Sequence, residues 1–179
     1  MGARRNTVFA LVTLVAFVAS GLLANAQDGG AAQSSAEIDY PGFVSLSENV
    51  MALRESRLIS LADFKEMATE PDTIILDARS RDAFDRGHVA GAINISFSDF
   101  TDETLASLIP SQDTRILIYC NNNFTDDIAP VMLKRAPLAL NIPTFINLHG
   151  YGYTNVYELG DSVSIGHEDL GWVSAQQTP

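Results

Sequence analysis

The sequence predicts an α/β fold: a five-stranded parallel sheet with helices on both faces. Two observations carry that prediction. Short, near-continuous apolar runs such as "TIIL" and "ILIY" read as strands buried on both sides. They alternate along the chain with stretches of helical character, the order that builds crossover units and a parallel sheet.

Each element has its own justification. "RLIS" (57–60) reads as a strand whose Ser60 caps the helix "LADFKEMATE" (61–70), with Asp63 three residues on. "TIILDARS" (73–80) is a buried strand, and "RDAFDRGH" (81–88) a short helix ending near Gly87. "GAINI" (91–95) gives another strand, and "DETLASLIP" (102–110) a helix stopped at Pro110. "RILIYC" (115–120) is the most apolar strand, followed by a helical stretch "DDIAPVMLKRA" (126–136). "TFINL" (144–148) is expected as the last central strand, and "TNVYEL" (154–159) as a closing helical turn. In open sheets of this kind sites form at the carboxyl ends of the strands, beside helix N-termini. Cys120 stands at such an end.

Outside this core the chain divides by composition. Residues 1–26 carry Arg4 and Arg5, then a short apolar run and the small residues of "ANA", the pattern of a secretory signal peptide cut after Ala26. The run falls short of the roughly 20 residues that span a bilayer. Residues 27–36 are small and polar and read as a flexible linker. The segment 37–57 is expected to pack on the domain formed by 58–160, beside the tail 161–179. Periplasmic or secreted residence follows, with no membrane insertion after cleavage. The cleaved chain has 9 basic and 22 acidic residues, a net charge of −13. That charge excludes nucleic acid as a partner and disfavours anionic membrane surfaces.

One cysteine allows no internal disulfide. An unpaired thiol in an oxidising compartment is a liability unless it is buried, paired between chains or used. Five residues, Asn121, Asn122, Asn123, Phe124 and Thr125, separate Cys120 from the expected helix start at Asp126. So short a loop must curl, turning backbone N–H groups toward the sulfur. Asparagine tolerates left-handed conformations better than most residues, which suits a tight cradle without glycine. Such a nest, closed by a helix N-terminus, stabilises a thiolate or persulfide. The competing reading is an inert thiol packed at a strand end.

Three segments resemble the rhodanese-like domains. "ILDARSRDAFDRGHVAGAINI" (75–95) is similar to that family's D-x-R segment followed by G-H-[IV]-x-G-A-x-N. "ILIYCNNNFTDD" (116–127) resembles its strand and active loop, and "FINLHGYGYTNVYELG" (145–160) its terminal segment. The resemblance covers roughly 58–160 and implies that Cys120 carries a transferable sulfur as a persulfide. It implies no metal and no organic cofactor; one cysteine and three scattered histidines make no metal site either. Partners would be a small sulfur donor and a thiol or other nucleophilic acceptor, with a protein as a further possibility. Asp77, Arg79 and His88 become structural supports, and residues 121–125 line the donor through their backbone.

The departures from the family pattern bear on mechanism. Asn123 stands in the place of a glycine and Thr125 in that of an arginine, so the loop offers no cation. Asp126 and Asp127 suit a helix start but oppose a thiolate. A carboxylate about 6 Å away would cost roughly 3 kcal/mol at an effective dielectric near 20, against about 0.3–1 kcal/mol returned by a helix dipole. Thiosulfate, a dianion, is therefore expected to be a weak donor. The leading reading is an exported sulfurtransferase; the alternative is a non-catalytic binding module on the same fold. A cysteine phosphatase would need arginine where Asp126 stands, and a thiol–disulfide oxidoreductase would need a second cysteine.

Overall fold

The computed structural model describes residues 36–174 and Gly2; the expected cleavage site, most of the linker and residues 175–179 lie outside the described residues. Seven strands form among the described residues: β1 (Leu58–Ile59), β2 (Thr73–Asp77), β3 (Gly87–Val89), β4 (Ala92–Asn94), β5 (Arg115–Tyr119), β6 (Val156–Leu159) and β7 (Trp172–Ser174). Five of them make one all-parallel sheet in the order β1-β6-β5-β2-β4, while β3 and β7 pair as an antiparallel ribbon. The helices are α1 (Tyr40–Glu55), α2 (Leu61–Ala68), α3 (Arg81–Arg86), α4 (Asp102–Leu108) and α5 (Asn141–Gly150).

β5 is the middle strand, and its side chains alternate between two cores. Ile116 and Ile118 join Leu105 of α4 and Phe145 and Leu148 of α5. Leu117 and Tyr119 join Leu61 and Phe64 of α2, together with Leu159 and Val163. A strand enclosed on both faces must be apolar throughout, which is why 116–119 is the most legible segment of the sequence. The helix starts obey capping chemistry: Ser60 accepts from the Asp63 N–H at 3.1 Å, and Thr101 from the Thr104 N–H at 3.1 Å.

Three expected elements change identity. Residues 144–148 lie inside α5, not in a strand. Asn141, Thr144, Phe145 and Leu148 are all buried, a spacing of three and four that fits a helix face. The fifth strand is instead 156–159, where Val156 and Glu158 face one core and Tyr157 and Leu159 the other. The acidic residue disguised it. No α-helix forms over 126–136: Pro130 lacks a donor and disfavours helix in the residue before it. Asp126 spends its carboxylate on the Ile165 N–H (2.8 Å), and Asp127, at φ 45°, on the Leu133 N–H (2.9 Å). The next helix begins only at Asn141.

The segment before the sheet is α1. Asp39 caps it by accepting from the Gly42 N–H at 2.9 Å, with Pro41 in the first turn. A Cβ at position 42 would lie 2.1 Å from the Asp39 carboxylate, so any larger residue there would displace the capping side chain. α1 packs on α5 through Leu46 and Val50. The tail was expected beside it; residues 161–174 instead close the other core, where Trp172 pairs with Val89 in the β3–β7 ribbon. Gly87 leaves room for the Trp172 ring, which a Cβ would approach to 2.7 Å. No helix among the described residues is long and apolar enough to cross a membrane.

Candidate functional site

Cys120 leaves β5 in extended conformation (φ −145°, ψ −175°). Its side chain therefore takes the face of Ile116 and Ile118, toward the N-terminal end of α5. The backbone amides of Asn122, Asn141 and Leu140 lie on the sulfur's side and act to lower the thiol pKa. The cradle is thus shared: one amide comes from the loop, and two come from the start of α5, twenty residues away. Three further loop amides are committed elsewhere. The Asn123 N–H donates to the Cys120 carbonyl, that of Phe124 to Asn121, and that of Thr125 to Val163.

The thiol is 1% exposed and borders a cavity of about 330 Å³. Burial pushes its pKa above the ordinary value; the three amides pull it back, and the Glu158 carboxylate adds to the rise. Arg54 of α1 answers that carboxylate. Its Nε donates to Glu158 Oε2 at 2.7 Å and its Nη2 to Oε1 at 2.6 Å, a bidentate pair. The pairing raises the Arg54 pKa although burial opposes it. Asn141 Nδ2 gives Glu158 Oε1 a further hydrogen bond at 3.1 Å.

The three asparagines act through their side chains, and none adopts a left-handed backbone. Asn123 is a buried staple. Its Oδ1 accepts from the Cys120 N–H (2.9 Å) and Asn141 Nδ2 (3.0 Å), and its Nδ2 donates to the Leu159 carbonyl (2.6 Å). Asn121 and Asn122 donate to the carbonyls of Met132 and Lys134, holding the excursion 126–136 against the loop. Phe124 is core, edge-on to Tyr119 (5.9 Å between centroids) and Trp172 (5.1 Å). Thr125 is exposed. Lys134, expected two turns down a helix, instead borders a second cavity of about 320 Å³ with Ser80, Ser96 and Asn121.

Asp77 and Arg79 are buried together at the end of β2. Arg79 Nη2 donates to Asp77 Oδ2 at 2.6 Å and to the Gly87 carbonyl at 2.7 Å, and Tyr119 donates its hydroxyl to the same carboxylate at 2.5 Å. Burial works against the Arg79 charge, but Asp77 more than offsets it and the pKa rises. Burial, reinforced by Asp77, lifts the Tyr119 phenol well above its usual range. The guanidinium lies 5.5 Å from the Trp172 ring and 5.6 Å from that of Tyr119. His88 stacks on Phe84 (3.8 Å) with its Nδ1 at 2.8 Å from the Phe84 carbonyl oxygen. All three sit in the framework, away from the cavity beside the thiol. The turn "HGYGY" (149–153) ends α5, and Gly152 lies against Gln112 ahead of β5, at the end of the sheet opposite Cys120.

Arg54, Glu158 and Asn141 escaped the sequence reading. An acid inside the apolar run "NVYELG" was the one available sign, since a buried carboxylate must find a partner. Among the described residues no group of three or more His, Cys, Asp or Glu could hold a metal ion.

Comparison with known proteins identifies the family. The family model for the rhodanese-like domain matches residues 60–164. A curated relative, the adenylyltransferase and sulfurtransferase uba4 of Sclerotinia sclerotiorum, is 26% identical over 114 residues, which is 60% of this chain. The chain spans only 25% of that protein's length. Among solved structures, the thiosulfate sulfurtransferase of Pseudomonas aeruginosa is 27% identical, covering 59% of this chain and 17% of that one, with a TM-score of 0.39. A rhodanese with anions from E. coli is 22% identical over 57% of this chain and 99% of its own, with a TM-score of 0.38. With more than half of its length matched by the family model, and with the five-stranded parallel sheet in place, this chain belongs to the rhodanese-like domain family.

Proposed function

We propose that the protein is a sulfurtransferase that carries sulfur as a persulfide on Cys120. The observation that supports this reading most is the place of the chain's only cysteine, at the carboxyl end of β5 and on a cavity that the start of α5 also lines. Fixed N–H dipoles at a helix start favour negative charge on whatever sulfur atom stands there. The Cys120 thiolate attacks the outer sulfur of a donor, a new S–S bond forms, and the donor's own bond to that sulfur breaks with its electron pair on the leaving group. A nucleophilic acceptor then takes the outer sulfur and restores the thiolate. Family membership and the sulfurtransferase name of the curated relative are consistent with it.

Incubation with thiosulfate, and separately with an inorganic polysulfide, followed by intact mass measurement is the direct test. The expected result is a gain of one sulfur atom that disappears in Cys120→Ser. Absence of any adduct, with Cys120 shown to react with an alkylating agent, sinks the reading. It would favour the second one, a binding module without turnover, for which the 1% exposure of Cys120 argues.

The basic, apolar and small residues of 1–26 support export with cleavage after Ala26. N-terminal sequencing of the protein recovered outside the cytoplasm should then begin at Gln27; an intact Met1 in the cytoplasmic fraction contradicts export.

A further inference from the structure

Arg54 and Glu158 are the only charged side chains among the described residues that line the Cys120 cavity. They come from opposite ends of the chain, 104 residues apart, and meet in one bidentate pair. Nε and Nη2 of Arg54 are committed to the carboxylate; Nη1 makes no hydrogen bond among the described residues. The Arg54 side chain is 35% exposed and that of Glu158 only 6%. The site therefore presents one free guanidinium N–H edge in a pair of zero net charge, backed by a carboxylate that cannot turn away into water. Leu58, Ile142 and Leu159 supply apolar wall.

Resting on the sulfurtransferase reading above, we propose that the Arg54–Glu158 pair selects the sulfur donor. Arg54 Nη1 offers a hydrogen bond to the sulfur of the leaving group, and Glu158, by cancelling the guanidinium charge, disfavours a leaving group with more than one negative charge. The preferred donor is an organic hydropersulfide, R–S–SH. The Cys120 thiolate attacks its outer sulfur, the inner S–S bond breaks, and R–S⁻ departs beside Arg54 while the proton stays on the transferred sulfur. One negative charge enters with the thiolate and one leaves with R–S⁻. Thiosulfate would expel the sulfite dianion against Glu158, and sulfite has no organic group to lay on the apolar wall.

The test compares donors in single turnovers of the whole protein, read by intact mass: benzyl hydropersulfide against thiosulfate, in wild type, Arg54→Gln, Arg54→Lys and Glu158→Gln. Alkylation by neutral iodoacetamide serves as the measure of thiol reactivity. Wild type should react about tenfold or more faster with the hydropersulfide. Arg54→Gln should slow that reaction about tenfold relative to alkylation, with Arg54→Lys in between. Glu158→Gln should raise the thiosulfate rate about tenfold and so erase most of the preference. A purely structural pair would change both donors and iodoacetamide together. Should a single substitution unfold the protein, Arg54→Met with Glu158→Leu removes both charges at once and is expected to erase the preference too. A donor ratio unchanged in every folded variant, or a wild type that prefers thiosulfate, overturns this inference and leaves sulfur transfer standing. Failure of both donors to modify an alkylatable Cys120 overturns the sulfurtransferase reading and this inference with it.

Discussion

Phe124 lies in the segment that a sequence reading assigns to an active loop, and the fold uses it as core. It is 1% exposed and packs edge-on against Tyr119 and Trp172. Its replacement by alanine removes a fully buried ring and should cost about 3–5 kcal/mol in urea denaturation. A loss below about 1 kcal/mol would mean the ring is not packed as described. The neighbouring positions divide by the same logic. Cys120 and the Asp77–Arg79 pair were legible because each sits in a local pattern, a strand end or a D-x-R segment. The left-handed asparagines were not borne out, since side-chain amides to Leu159, Met132 and Lys134 hold the turn instead. Glu158 shows only as an acid inside an apolar run and Arg54 shows no local pattern, and only the fold brings them together.

At the scale of elements, the sheet was read correctly in four strands and incorrectly in the fifth. Periodicity over five residues cannot separate a buried strand from a buried helix face. "TFINL" is therefore a helix face and "VYEL" the strand, the reverse of what the sequence suggests. α1 was missed as a helix because its Pro-Gly pair reads as a turn, whereas Pro41 and Gly42 occupy the first turn beneath the Asp39 cap. That cap can be tested on its own. Asp39→Ala leaves the first amides of α1 without an acceptor and should cost about 0.5–2 kcal/mol. Hydrogen exchange should show the loss confined to amides of α1, with β2 and β5 unaffected; a uniform loss would place α1 within the global folding unit.

For the molecule as a whole, the titrating groups that burial has shifted predict a stability optimum between neutral and mildly alkaline pH. Desolvation holds the His149 pKa below 6.5, so the unfolded chain takes up protons that the folded state refuses. Stability therefore falls as pH drops below that value. Cys120 is shifted the other way from 9.0 and Tyr119 from 10.0. There the folded state keeps protons that the unfolded chain releases, so stability falls as pH climbs past 9. Urea midpoints measured across this range should trace a dome. Cys120→Ala should flatten part of its alkaline side and His149→Gln part of its acidic side; a midpoint still rising above pH 10 would contradict the buried thiol and phenol.

The β3–β7 ribbon has one further consequence. Trp172 is the only tryptophan in the chain, and it rests on Phe124 and faces the Arg79 guanidinium. Excited on the long-wavelength side of tyrosine absorption, this protein emits from one indole in one place. A cation near the ring and a wall of aromatic neighbours make its colour and lifetime sensitive to any loosening of the clasp between residues 87–89 and 172–174. The fold carries its own optical gauge, set on the face of the sheet opposite the sulfur.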